Sequence, residues 1–378
     1  MLHSIIQLQT DAVNKLVYLL PQQDCIQKEF TFRAPTGSGK THMMAELMNK
    51  MLENDNNLVF IVSSLSTSGL ARQNYDKFIE YKISEFQHLD PYEILSERTS
   101  EQRISIDSSH NVYVLARDLY KQKSRLMSNN SLVEFLEQIK TQGKKIIWLK
   151  DECHIASNNL DYLKYYFDKV LNLSATPNSK FDVEISELDA VNNKLIKDVE
   201  FHEEELEDFG IQKFLKIRNE YKKYLNINPC LIIQISNKDK GEEEWNKIRA
   251  VLDTKFAGVQ YVCFANNPKL CDTNSDILKK TKINEWKNIV KDNNSLVSII
   301  IFKMIIKEGY DIPRACMLYQ VRDTSSETLD EQVIGRIRRN PILLDWEDYS
   351  APAHNLALKA IVYGIEKKAK YTPKCPHK

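Results

Sequence analysis

The chain has 378 residues, of which 42% are hydrophobic and 28% are charged, and its 52 Lys and Arg are balanced by 52 Asp and Glu. These values fit a folded protein of two domains, and the zero net charge means that any nucleic-acid partner would need a local basic surface. The seven Cys contain no Cys-x-x-Cys pair, which argues against a zinc site and a disulfide framework. No basic secretory region follows Met1, and the longest apolar run, 296–306, is too short to span a bilayer. We therefore expect a cytoplasmic protein without a membrane partner.

Predicted helices and strands alternate along the first part of the chain. Helices are predicted over 5–20, 41–52, 70–81 and 132–139, and strands over 29–33, 58–62, 112–115, 145–150 and 170–173. The region 82–111 is polar and weakly patterned ahead of the strand at its end. The stretch 178–228 is highly charged and predicts a connector containing helices, with the acidic run 203–208 as a solvated surface.

A second alternating region follows the connector. Strands are predicted over 230–235, 259–264, 296–302 and 315–321, and helices over 242–252, 284–290, 329–339 and 356–370. Two such regions predict an α/β protein with two parallel-sheet domains. The predicted boundaries are 1–184 for the first domain, 185–228 for the helical connector, 229–350 for the second domain and 351–378 for a C-terminal helix and tail.

The segment 34–41 reads Ala-Pro-Thr-Gly-Ser-Gly-Lys-Thr and joins a predicted strand to a predicted helix. Gly37 and Gly39 allow backbone N–H groups to close around a phosphate, at the positive end of the following helix. Lys40 would neutralise charge on the β- and γ-phosphates, and the Thr41 hydroxyl would bind Mg²⁺. The segment therefore predicts a loop that binds ATP with Mg²⁺, made of Thr36, Gly37, Ser38, Gly39, Lys40 and Thr41.

An acidic pair, Asp151 and Glu152, directly follows the predicted strand 145–150. Ligands of open α/β sheets bind at the carboxyl ends of strands, so Asp151 is placed to reach Mg²⁺ and Glu152 to orient or deprotonate the attacking water. Lys150 should point to the opposite face of the strand. An acidic pair alone would more commonly be a surface turn, and the phosphate loop upstream favours the catalytic interpretation.

A third cluster comprises Gln332, Gly335, Arg336 and Arg339, which recur at helical spacing. Arg336 and Arg339 are expected to stabilise charge on the transferring phosphoryl group, as catalytic arginines do in phosphoryl transfer. The alternatives are a basic surface helix and a simple phosphate-binding patch.

Four segments occur in the order of the motifs of superfamily 2 helicases of the DExH-type branch. They are 34–41, 151–154, 174–176 and 332–339. In addition, 301–315 resembles a signature of the helicase (Res) subunit of type III restriction enzymes. The resemblance implies two tandem RecA-like domains with an ATP cleft between them, and ATP hydrolysis that drives translocation along nucleic acid or its unwinding.

The resemblance also implies roles for individual residues. Gln9 is similar to an adenine-reading glutamine, with an ordinary helix-start residue as the alternative, and Gly309 and Asp311 would lie near the ribose. Four residues would couple hydrolysis to nucleic-acid binding: His154, Ser174, Thr176 and Gln332. Three residues are similar to nucleic-acid contacts: Arg72, Gln73 and Lys303.

The substrate preference follows from family likeness alone. DNA is expected because the resemblance is to restriction enzymes, and an RNA substrate is the first alternative. Only 39 residues follow Arg339, too few for the nuclease domain of type III subunits, so we expect none here. A second alternative is therefore a nucleotide-switched scaffold for a separate methyltransferase or nuclease partner.

Overall fold

The structure is a computed structural model, and it describes residues 2–21, 28–64, 69–95, 105–116, 130–153, 158–175, 180–236, 238–265, 271–302, 312–321 and 327–365. The chain divides into two compact units. The N-terminal unit comprises Ile6–Pro35 and Gly39–Glu187, and the C-terminal unit comprises Met1–Ile5, Thr36–Ser38 and Leu188–Lys378. Among the described residues, no helix combines the length and the apolar character needed to cross a bilayer.

The N-terminal unit is built on a parallel sheet of seven strands in the order β3-β4-β2-β5-β6-β1-β7. The strands are β1 Glu29–Arg33, β2 Leu58–Ser64, β3 Pro91–Ile94, β4 Val112–Ala116, β5 Lys145–Asp151, β6 Lys169–Ser174 and β7 Val183–Glu184. The helices are α1 Leu2–Leu19, α2 Lys40–Asn54, α3 Leu70–Ser84 and α4 Ser131–Thr141, with a 3₁₀ segment at Asn158–Tyr166. All seven residues of β2 are buried, as expected for a central strand of a parallel sheet with helices on both faces.

The strand β3 lies within the weakly patterned region, where the sequence predicts no such element. It is four residues long, begins at Pro91, and only its first and last residues are buried. A short edge strand that starts with proline pairs on one side only, so it needs no continuous apolar run. This explains why hydrophobic patterning did not reveal it.

The C-terminal unit contains a second sheet of seven strands in the order β11-β10-β12-β9-β13-β14-β8. The strands are β8 Asp198–His202, β9 Cys230–Gln234, β10 Gln260–Phe264, β11 Asp272–Thr273, β12 Val297–Phe302, β13 Ala315–Gln320 and β14 Lys359–Tyr363. The helices are α5 Glu187–Asn192, α6 Ile211–Leu225, α7 Lys238–Lys255, α8 Asp276–Lys279, α9 Ile283–Lys291, α10 Glu327–Ile337 and α11 Ala351–Ala357, with a 3₁₀ turn at Trp346–Asp348. Apolar residues of β9, β10, β12 and β13 pack against residues of α9 and α10 in one core. Two sheets of mainly parallel strands flanked by helices confirm the predicted α/β class.

The predicted helix over 356–370 is wrong where the structure describes it. Helix α11 ends at Ala357, and Lys359–Tyr363 forms strand β14, which pairs in parallel with β13 and with β8. Ala360 and Val362 alternate into the core, which is the period of a strand. Pairing with residues far apart in the chain overrides the helical preference of this segment.

Candidate functional site

The phosphate loop joins β1 to α2 in the predicted strand–loop–helix arrangement. The Ala34 N–H donates to the Ser174 carbonyl at 3.2 Å, which fixes the start of the loop beside the end of β6. Gly37 and Gly39 have φ values of 92° and 84°, a region that residues with a Cβ rarely adopt. Helix α2 begins directly after Gly39, so its free N–H groups and positive dipole end belong to the same loop. The backbone therefore has the form of an anion cradle.

Gln9 of α1 lies against this loop. It is 7% exposed, and a Cβ built on Gly39 would lie 2.6 Å from its Nε2 atom. The backbone conformation thus favours glycine at position 39, and a side chain there would displace the Gln9 amide. The structure places Gln9 next to the phosphate loop, and its adenine-reading role stays a prediction.

The side chain of Lys40 folds back over the loop. Its Nζ donates to the Ala34 carbonyl oxygen at 3.2 Å. This bond holds the ammonium group at the mouth of the cradle, where a phosphate oxygen is a stronger acceptor than a neutral carbonyl.

Asp151 is the last residue of β5, the strand next to β6 in the sheet, and Glu152 directly follows it. Asp151 is 5% exposed, and Glu152 has a φ of 52°, an uncommon value for a residue with a Cβ. Such a conformation costs on the order of 1 kcal/mol or more and is concentrated at functional sites. Lys150 points to the other face of β5, as predicted, and its Nζ lies 2.9 Å from Asp161.

Asn74 of α3 connects the loop to the acidic pair. Its Nδ2 donates to the Ser64 Oγ at 2.8 Å and to the Asp151 Oδ2 at 3.1 Å, and its Oδ1 accepts from the Thr41 Oγ1 at 3.5 Å. The sequence reasoning missed Asn74. The sequence carried a signal in its spacing, because Asn74 shares the helical face of Ala71 and Phe78, the face that the structure shows to be buried.

The donor set at this point fits Mg²⁺. The Thr41 hydroxyl and the Asp151 carboxylate are both oxygen ligands, and both bond to the same Asn74 amide. Mg²⁺ prefers one or two carboxylates, several waters and substrate phosphates over a cage of protein ligands. Across the described part of the chain, no group of three or more His, Cys, Asp or Glu side chains could hold a metal. The Thr41 and Asp151 oxygens suit a metal that arrives with a phosphate.

The predicted arginine cluster lies at the end of α10 in the C-terminal unit. Arg336 and Arg338 are buried, with 8% and 5% exposure. After the helix, Arg339 forms an antiparallel bridge with Ile196. The Lys197 N–H donates to the Arg338 carbonyl at 2.6 Å, and Asn340 Nδ2 donates to the Lys194 carbonyl at 3.0 Å. A segment of the predicted connector therefore fixes the backbone that carries the arginines.

Lys197 is itself fully buried. Its Nζ donates to the carbonyls of Ala315 at 2.6 Å and Pro313 at 3.3 Å. Removal from water lowers the pKa of Lys197 to about 8, because burial disfavours the charged amine. This lysine holds the start of β13, a role that the sequence did not predict.

The predicted nucleic-acid contacts Arg72 and Gln73 lie on α3 and are exposed. The Arg72 guanidinium is 2.6 Å from Glu93 and 3.0 Å from Asp76. Its hydrogen bond to Glu93 is the main cause that raises the pKa of Arg72. A nucleic-acid phosphate would have to compete with these two carboxylates, and the contact role of both residues stays a prediction.

Several predicted residues lie outside the described part of the chain. They are His154, Thr176, Lys303, Gly309 and Asp311, and the side chain of Gln332. Ser174 is described, and it is fully buried at the end of β6. The roles of all seven residues stay predictions.

A comparison with protein families agrees with the motifs. Residues 3–179 match the family model described as type III restriction enzyme, res subunit. The predicted Res resemblance is confirmed. The matched residues include the phosphate loop, the acidic pair and Asn74, so the Res-like region coincides with the site described above. No curated protein matches the chain.

Solved structures show the same fold over nearly the whole chain. The DUF1998 helicase MrfA bound to DNA is 11% identical with a TM-score of 0.58, covering 94% of this chain and 48% of MrfA. The ATP-dependent Type ISP restriction-modification enzyme LlaBIII bound to DNA is 11% identical with a TM-score of 0.52, covering 94% of this chain and 27% of LlaBIII. The DEAD-box helicase Mss116 bound to ssRNA and UDP-BeF is 14% identical with a TM-score of 0.53, covering 96% of this chain and 72% of Mss116.

These similarities confirm the predicted fold of two tandem RecA-like domains. The Res-like chain spans about half the length of MrfA and about a quarter of LlaBIII. Identities of this size establish the fold and leave the substrate of the Res-like chain open.

Proposed function

We propose that this Res-like protein is an ATP-dependent translocase or helicase that acts on DNA and hydrolyses ATP with Mg²⁺. The observation that carries the proposal is the arrangement of side chains at the phosphate loop. A glycine loop with positive φ values and the Lys40 ammonium group adjoin Thr41, whose hydroxyl is linked through the Asn74 side chain to the buried Asp151 carboxylate. This combination binds and cleaves nucleoside triphosphates in proteins with the same fold.

The residues divide the chemistry as follows. Lys40 leaves the Ala34 carbonyl and donates to the β- and γ-phosphates, while the loop N–H groups hold the phosphate chain. Thr41 and Asp151 would hold Mg²⁺, which would supply positive charge to the phosphate oxygens. Glu152 orients the attacking water and accepts its proton.

Arg336 and Arg339 are proposed to stabilise the charge on the γ-phosphoryl group during transfer. The fold supports this role because the β-bridge between Arg339 and Ile196 fixes the backbone of the segment that carries both arginines. A donor already in position costs little reorganisation when the transition state forms. If hydrolysis also requires the C-terminal unit to approach the bound ATP, each cycle of ATP binding and hydrolysis moves the contacts of the protein along a nucleic-acid strand.

DNA is favoured over RNA as the polymer. The support is the match to the restriction enzyme family over residues 3–179 and the DNA-bound state of MrfA and LlaBIII. Mss116, which is bound to ssRNA, has the same fold, so the RNA alternative is tested directly. Because the family match is to a restriction enzyme subunit, a methyltransferase or nuclease subunit is a candidate partner.

The test is phosphate release from ATP by the full chain, with no polymer, single-stranded DNA, duplex DNA or RNA. Lys40→Ala and Arg336→Ala are measured beside the wild type. Exposed residues serve as matched controls, namely Lys77→Ala on α3 and Arg249→Ala on α7, whose side chains are 51% and 50% exposed. We expect stimulation by DNA that both site variants lose and both controls retain.

Other outcomes are equally informative. Stimulation by RNA alone would replace DNA by RNA as the substrate. Slow hydrolysis that no polymer changes would refute the motor and favour a nucleotide-controlled scaffold. Hydrolysis that survives Lys40→Ala would refute the assignment of the loop.

A further inference from the structure

We infer that Asn74 is a positioning residue that couples the two magnesium ligands, Thr41 and Asp151, and thereby sets how strongly Mg²⁺ increases the affinity for ATP. The inference rests on the proposed function and extends it to a residue outside the predicted motifs. Asn74 is 33 residues from Thr41 and 77 residues from Asp151 in the sequence, so only the fold brings the three together.

The orientation of the Asn74 amide follows from its partners. An ionised carboxylate only accepts hydrogen bonds, so the group that faces Asp151 at 3.1 Å must be the NH₂ end. The second N–H of this NH₂ group is taken by the Ser64 hydroxyl at 2.8 Å. The carbonyl end is then left facing the Thr41 hydroxyl at 3.5 Å. Asn74 is 3% exposed, so water does not compete for these bonds.

This orientation is the one that a metal requires. When the Thr41 oxygen binds a cation through a lone pair, its proton must point away from the metal and needs an acceptor. The Asn74 Oδ1 is that acceptor. At the same time one Asn74 N–H donates to the Asp151 Oδ2 and fixes the orientation of the carboxylate.

A purely structural role would rest on the Ser64 bond alone. That bond ties α3 to the end of β2 and involves no predicted metal ligand. The two roles differ in one measurable quantity. A structural residue changes nucleotide affinity equally with and without Mg²⁺, whereas a residue that positions metal ligands changes only the part of the affinity that Mg²⁺ adds.

The experiment measures the dissociation constant of a fluorescent, nonhydrolysable ATP analogue for the full chain, in excess Mg²⁺ and in excess EDTA. The ratio of the two constants is the magnesium advantage. We expect Asn74→Ala to reduce this advantage by about 10- to 100-fold, the effect typical of removing groups that orient metal ligands. The constant in EDTA should change by less than about twofold, because Lys40 and the loop backbone are untouched.

A matched control is Asn172→Ala. Asn172 is also a buried asparagine of the N-terminal unit. It pairs with Lys150, so its side chain lies on the sheet face opposite Asp151, and its Nδ2 donates to Glu29 at 2.8 Å. This variant should keep the wild-type magnesium advantage. If Asn74→Ala does not fold, Asn74→Ser replaces it. The Ser hydroxyl lies one bond closer to the backbone than the Asn amide atoms and cannot reach both Thr41 and Asp151, so the same loss is expected.

The outcomes separate this inference from the proposed function. An unchanged magnesium advantage in the folded Asn74 variants, or equal weakening in Mg²⁺ and EDTA, overturns the inference while the ATPase stands. A wild-type chain that binds the analogue no better with Mg²⁺ than with EDTA refutes the magnesium-dependent function, and the inference falls with it.

Discussion

Arg314 lies within the Res-like signature 301–315, and its surroundings predict a structural role. The side chain is fully buried just before β13. Its guanidinium donates to the carbonyls of Asn228 at 2.7 Å, Val290 at 2.9 Å and Val297 at 2.7 Å, with Pro229 at 3.4 Å. The Asn228 and Pro229 carbonyls lie just before β9. The Val290 carbonyl lies in α9, and the Val297 carbonyl lies at the first residue of β12. One side chain therefore ties together the amino ends of three neighbouring strands and a helix.

Replacing this guanidinium should cost stability by a definite amount. In Arg314→Met, two buried carbonyls and the half-buried carbonyl of Asn228, all with bonds of 2.9 Å or less, lose this donor. At about 1 kcal/mol for each unsatisfied acceptor, the free energy of unfolding should fall by about 3 kcal/mol. Arg314→Lys keeps the charge but has no planar fork, so it should recover only part of this loss, leaving about 2 kcal/mol.

The assay is urea unfolding of the full chain, followed by tryptophan fluorescence and circular dichroism. Three of the four Trp, at positions 245, 286 and 346, belong to the C-terminal unit and report on it. The control is Arg249→Met, whose exposed side chain pairs with Asp272 and should change stability by less than about 1 kcal/mol. A loss below about 1 kcal/mol in Arg314→Met, or full recovery in Arg314→Lys, would refute the structural assignment.

Three further predictions concern the site and its supports. Glu152→Gln should keep the affinity for ATP within about threefold but slow phosphate release by about 100-fold or more, because the water loses its proton acceptor; a smaller loss in single-turnover assays would contradict this role. Gly39→Ala places a methyl group at a φ of 84° and 2.6 Å from the Gln9 amide, so thermal unfolding should show a loss of about 1–2 kcal/mol. The Gly39→Ala variant should also lose its preference for ATP over GTP in competition binding. An unchanged preference would contradict a role of Gln9 in adenine recognition. For Lys197, the folded-state pKa of about 8 lies below the ordinary lysine value of 10.5, so the unfolded state binds more protons between these pH values and stability rises with pH. Urea titrations should show that the free energy of unfolding of the wild type rises by about 1 kcal/mol relative to Lys197→Met from pH 8 to 9, and changes little below pH 7. Curves of unfolding free energy against pH that run parallel for the two proteins would contradict the shifted pKa.

The phosphate loop and the acidic pair could be predicted from the sequence because their chemistry is local. A strand, two glycines and a helix start are consecutive in the chain, and Gly37 and Gly39 have the positive φ values that their position demands. Asp151 follows a run of buried residues, which marks the carboxyl end of a strand without any knowledge of its neighbours. The α/β class followed for the same reason, since periodicity is a property of short windows.

Tertiary structure alone decided which distant residues meet. Asn74 reaches Thr41 and Asp151 because α3 packs over the ends of β2 and β5, and nothing in the sequence spacing specifies that distance. Residues 359–363 became a strand because β13 and β8 offered backbone partners on both sides. Local patterns specify backbone conformation over a few residues, whereas hydrogen-bond partners and buried charges such as Arg314 are chosen by the packing of elements far apart in the chain.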